Sequence, residues 1–99
     1  MKIFRKASEL EPNLVSIKDK GQSIGLVLTM GNLHDGHLSL IREAQLHNEF
    51  VICSIFINPT QFNNENDFNS YPKTIDEDIS KLEIIGCNLL FLPKVQEIY

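Results

Sequence analysis

Three short apolar runs without alternation, at residues 24–29, 50–57 and 89–92, punctuate the chain. Runs of that length and β-branched content suit parallel strands covered on both faces. Pro59 and Pro93 follow the second and third runs and end their pairing, because proline has no N–H to give a ladder. Between the runs the period changes to that of a helix. Leu38, Ile41 and Ala44 recur at helical intervals with Arg42, Glu43 and Gln45 between them, which predicts a helix from just after the Asp35-Gly36 pair to about Asn48. Thr74 to Glu77 reads as a capping box, with Ile79, Leu82 and Ile85 as the buried stripe and Gly86 as the stop. Upstream, Ser8 to Glu11 reads as another capping box, with Pro12 in the first turn and Leu14, Val15 and Ile17 on one face of a helix ending near Gly21. The stretch 61–70 is polar and asparagine-rich with Phe62 and Phe68 as its only apolar anchors, and reads as a surface loop.

The order strand, helix, strand, helix, strand predicts one α/β domain over residues 1–99: a Rossmann-like, doubly wound parallel sheet. Composition adds exclusions. Hydrophobic residues at 42% and charged ones at 22% are ordinary for a folded globular chain. A formal charge of -4 with no basic cluster argues against nucleic acid. No run approaches the roughly 20 apolar residues of a membrane span, and no apolar core follows the basic start, so a cytoplasmic protein is expected. Cys53 and Cys87 each adjoin an apolar run and read as small buried hydrophobes, too far apart for a zinc knuckle.

Ligands of such sheets bind beyond the carboxyl ends of the strands, which directs attention to the segment Met30, Gly31, Asn32, Leu33, His34, Asp35, Gly36 and His37. Its glycines allow close backbone approach, and the helix that follows offers N–H groups to an anion. His34 and His37 stand three apart, so both rings can face one phosphate chain and donate to it. The competing reading makes the two histidines polar caps of a helix; a metal pair is disfavoured for want of a third nearby ligand. Asp76, Glu77 and Asp78 read as partners of the helix dipole and not as magnesium ligands, and His47 as a structural residue at a helix end.

The arrangement His-x-Gly-His after a buried strand resembles the His-Ile-Gly-His signature of the nucleotidyltransferase superfamily. The longer string from Leu28 to Leu40, with Ser54-Ile55-Phe56-Ile57-Asn58-Pro59-Thr60-Gln61-Phe62, resembles the pantothenate synthetase family. A third match runs through Asp67-Phe68, Tyr71-Pro72-Lys73-Thr74 and Asp78, and the likeness continues to Glu97-Ile98-Tyr99. The resemblance implies ATP-dependent, magnesium-assisted adenylation of pantoate, then attack by β-alanine to give pantothenate and AMP. It implies an ATP loop from Met30 to His37, His37 as proton donor, Gln61 as a contact for pantoate and β-alanine, and a homodimer. The family's Gly-x-Lys-Asp-x-Gln-Gln segment and Lys-Met-Ser-Lys-like loop do not occur within the 99 residues, so little ligase activity is expected of this chain by itself. Two other readings are another nucleotidyltransferase with the same loop, and a noncatalytic binding or dimerisation module.

Overall fold

The computed structural model describes residues 1–56 and 75–93. Among these residues four strands, β1 (Lys2–Phe4), β2 (Ile24–Thr29), β3 (Phe50–Ile55) and β4 (Leu89–Phe91), accompany three helices, α1 (Ala7–Asp19), α2 (Asp35–His47) and α3 (Ile75–Ile85). The sheet is parallel throughout and ordered β1-β4-β3-β2. From β1 the chain crosses to the far edge through α1, then steps back through α2 and α3. Right-handed crossovers taken in opposite directions place their helices on opposite faces, so α1 lies against one face and α2 with α3 against the other.

Strand β1 is absent from the sequence reading. Three residues set between Lys2, Arg5 and Lys6 have too little apolar periodicity to register, yet Ile3 pairs with Leu90 and Phe4 with Phe91. A very short, charged edge strand is a common way to discourage edge-to-edge association. The capping box expected at Ser8 does not form. The N-cap is Lys6, which makes no side-chain cap, and its carbonyl accepts the Glu9 and Leu10 N–H groups at 3.1 and 3.2 Å. Pro12 consequently falls within the helix beyond its first turn, where its missing N–H leaves the Ser8 carbonyl without the usual helical donor.

The core lies on the α2–α3 face. Val27, Val51, Cys53, Ile55, Leu90 and Leu92 of the strand region meet Leu33, Ile41, Leu82 and Cys87, with Leu38, Ala44, Ile75, Ile79 and Ile85 packed around them. Each fully buried aliphatic of this kind contributes on the order of 1.5–3 kcal/mol. In α3 only Leu82 of the expected stripe is fully buried, while Ile79 and Ile85 are half-buried and Asp78 is buried beside it. The carboxyl end of α3 is closed by Gly86 at φ +86, with the Cys87 N–H reaching back to the Leu82 carbonyl at 3.0 Å and the Gly86 N–H to Glu83 at 3.2 Å. Gly25 lets α2 approach β2, since a Cβ there would lie 2.8 Å from Asn48 Nδ2 and 3.1 Å from Ala44 Cβ.

The second face departs from expectation. The apolar run of β2 predicts cover on both sides, but its burial alternates, and Leu26 and Leu28 are 60% and 72% exposed. Helix α1 covers only part of this face, leaving an apolar groove lined by Leu10, Leu14, Leu26, Leu28, Ile52 and Phe91. The cysteines are free and buried, as expected. No helix among the described residues is long and apolar enough to cross a membrane. The strand end at Ile57, the cap at Thr74 and the loop at 61–70, with Asn58 and Gln61, lie outside the described residues.

Candidate functional site

At the carboxyl end of β2 the chain leaves the sheet through Thr29, whose hydroxyl donates to the Ser54 carbonyl at 3.1 Å and accepts the Gly31 N–H at 3.3 Å. The backbone then turns through two positive φ angles, 90° at Gly31 and 53° at Asn32. Glycine adopts the first without strain, and asparagine is among the side chains that best tolerate the second. Leu33 follows with its side chain 2% exposed in the core, so the loop is bolted to the α2–α3 face just before the histidines.

His34 is the N-cap of α2, with φ −130 and ψ −178. Its Nδ1 accepts the Gly36 N–H at 3.0 Å, and His37 Nδ1 accepts the His34 backbone N–H at 3.2 Å. The ring centroids are 4.0 Å apart with planes inclined by 36°. The capping reading and the ligand reading are therefore compatible, because they use different edges of the same rings. A ring whose Nδ1 accepts a hydrogen bond is neutral there and carries its proton on Nε2, so each imidazole keeps one N–H donor that capping does not use. The glycine between them has a packing reason as well, because a Cβ on Gly36 would sit 2.8 Å from His34 Cε1.

Burial, then the neighbouring His34 ring, holds the His37 pKa below its ordinary 6.5, and the Asp78 carboxylate opposes both. Near neutral pH His37 is an uncharged donor. Two stacked rings would repel one another if both were protonated, which acts in the same direction.

The pantoate-beta-alanine ligase family matches residues 2–99. The chain belongs to that family. Pantothenate synthetase of Alteromonas mediterranea is 46% identical over 99 residues, covering 100% of this chain and 35% of the relative. That of Alcanivorax borkumensis is 56% identical over 80 residues, 81% of this chain and 28% of the relative. Among solved structures, pantothenate synthetase from Thermus thermophilus superposes with a TM-score of 0.81 at 38% identity, over 100% of this chain and 34% of that one. Pantoate-beta-alanine ligase from Francisella tularensis, complexed with beta-gamma ATP and beta-alanine, gives 0.79 at 44% identity, over 100% and 38%. The chain thus spans about a third of the length of the relatives it matches.

Within this pantoate-beta-alanine ligase segment, the residues predicted from sequence divide by role. His34, Gly36 and His37 come together, and Met30 at the start of the loop is 59% exposed. Leu33 is drawn inward instead, and the N–H groups of Asn32 and Leu33 are taken by Asp78 at 3.0 and 2.9 Å. Asp78 is the residue that sequence reasoning missed: three acids in a first turn read as dipole partners, whereas the third is 1% exposed and bonded to the loop. One sequence signal was present, since Asp78 belongs to the third string shared with the family. Gln61 lies outside the described residues.

Proposed function

We propose that these 99 residues are the nucleotide-binding part of an enzyme that joins pantoate to β-alanine at the expense of ATP. In that reaction a pantoate carboxylate oxygen attacks the α-phosphorus. The new P–O bond forms as the bond to the bridging oxygen breaks, and pyrophosphate leaves with that electron pair. The β-alanine amine then attacks the acyl carbon; the C–N bond forms as the bond from that carbon to the bridging oxygen breaks, AMP departs with the bridging oxygen and its electron pair, and the nitrogen releases a proton.

The observation that carries the reading is the pair of imidazoles at the end of β2, each with Nδ1 committed to backbone and Nε2–H left as donor. Donors fixed before substrate arrives stabilise charge on phosphate oxygens without reorganising during reaction. We assign Met30 to His37 to ATP, with His37 as the proton donor, and Gln61 to pantoate and β-alanine, its amide being able to donate and accept together. Magnesium accompanies the nucleotide. Among the described residues no three His, Cys, Asp or Glu side chains gather to hold an ion. The reading further places the protein in the cytoplasm, as a homodimer with small-molecule substrates.

Calorimetric titration with ATP, beside His37→Ala, tests the nucleotide assignment: measurable binding that weakens about tenfold on losing a charge-assisted donor supports it. No binding by either form speaks for a noncatalytic module. A chimera in which these residues replace the matching segment of the Thermus thermophilus enzyme tests the reaction. It is expected to release pyrophosphate only when pantoate is present, and loss of that dependence overturns the ligase reading.

A further inference from the structure

Helix α3 reaches the loop with two side chains one turn apart. Asp78 Oδ2 accepts the Asn32 N–H at 3.0 Å and Oδ1 accepts the Leu33 N–H at 2.9 Å. Lys81 Nζ donates to the Leu33 carbonyl at 2.8 Å. Two successive N–H groups converging from a left-handed stretch make a concavity that ordinarily draws an anion such as phosphate. Here Gly31 and Asn32 supply that curvature, and the anion that fills it is the protein's own carboxylate, 1% exposed.

We propose that Asp78, supported by Lys81, is a positioning residue: it fills the Asn32–Leu33 concavity, keeps phosphate out of it, and fixes the loop so that the His34 and His37 Nε2–H edges are the phosphate donors. This rests on the nucleotide reading above. The division of labour explains why the loop needs a helix from far along the sequence. The strand end fixes Gly31 through Thr29, the core fixes the Leu33 side chain, and α3 fixes the peptides between. Asp78 is also close enough to be felt by the His37 imidazole, which places the carboxylate, the loop and the ring in one electrostatic unit.

The test uses the isotopically labelled chain, its Asp78→Asn and Lys81→Met variants, and ATP as the probe. Asp78→Asn keeps the side chain's size but removes its charge and one acceptor. Amide exchange at Asn32 and Leu33 is expected to quicken about tenfold or more while Val51 to Ile55 stay protected, and the ATP dissociation constant to rise by a similar factor. Nitrogen shifts of His37 should move from the single Nε2–H tautomer to a mixture, a change that a purely structural role for Asp78 does not produce. Lys81→Met should give a smaller change in the same direction. Unchanged exchange and tautomer in Asp78→Asn, or ATP binding within twofold of the parent, overturns the proposal. Should Asp78→Asn unfold, Lys81→Met decides: wild-type exchange and ATP binding in that variant also overturn it. If the parent chain binds no ATP, the nucleotide reading fails, while exchange and tautomer still decide the positioning role.

Discussion

The two faces of the sheet are built from the same four strands but differ in completeness. On one, α2 and α3 close over Val27, Val51, Cys53, Ile55 and Leu90, and the loop after β2 takes its anchorage from that packing through Leu33 and Asp78. On the other, α1 rests over part of the sheet, and Leu26 and Leu28 face outward at 60% and 72% exposure. Parallel sheets normally bury both faces, so the contrast separates what holds this fold together from what the described residues leave uncovered. The candidate site belongs to the closed face, because among the described residues the loop is fixed by Thr29 at the end of β2, itself bonded to β3, by the core and by α3.

The largest expected effect breaks the contrast directly. Ile41 and Leu82 are 0% exposed, and truncation of either to alanine should cost about 2–5 kcal/mol, the range for buried aliphatics whose surroundings cannot collapse into the cavity. Leu28→Ala, the same chemistry on the open face, should stay within about 0.5 kcal/mol. Urea unfolding of the three variants measures both, and comparable losses on the two faces would refute the division between them.

How far the sequence foretold this difference depends on which signal each residue carries. The order of the later strands and helices, the Gly86 stop and the buried cysteines were legible because apolar runs, helical spacing and glycine act locally. The uncovered side of β2 was not: an apolar run reads the same whether or not a helix lies over it. Lys2–Phe4 escaped for the opposite reason, its pairing with β4 being supplied by residues more than 80 positions away and not by its own composition. At the site, His34 and His37 stood out through type and spacing, while Asp78 looked like any acid in a first helical turn. Its identity as an anchor is a contact across 45 and 46 residues of sequence, which no local pattern encodes.

A middle-sized effect comes from the cysteines of the closed face. Burial, reinforced by the neighbouring Cys87, pushes the Cys53 thiol up from 9.0 to about 12, and burial likewise raises Cys87. An acid with a raised folded pKa stays protonated while its unfolded counterpart ionises, so the unfolded chain holds fewer protons above pH 9. Stability should therefore fall as pH climbs from about 9 toward 12, by up to roughly 1.4 kcal/mol per unit for Cys53, with Cys87 acting in the same direction. Denaturant titrations at pH 8 and pH 10 measure this, and Cys53→Ser with Cys87→Ser should flatten the alkaline slope. Aromatic disulfide reagents sharpen the point: the native thiols should react only as fast as the chain opens, whereas a thiol introduced as Leu28→Cys should react at once.

The smallest effect concerns the rim where the closed face meets the loop. The His37 pKa lies below 6.5 chiefly through burial and next through His34, with Asp78 pulling upward. Replacing the neighbour, as in His34→Gln, removes the second cause and leaves the first, so the His37 midpoint followed by imidazole resonances should move part of the way back toward 6.5. Because the folded value is depressed, the unfolded chain takes up the proton first as pH falls; the contribution to stability is complete above 6.5 and is lost on acidification through the folded value. His34→Gln should thus soften the acid-side decline while weakening the cap on Gly36. Asp78→Asn should do the reverse to the midpoint, lowering it further. If both substitutions leave His37 titrating where it does in the parent chain, the ring is isolated from its neighbours, and the loop is not the electrostatic unit that its distances describe.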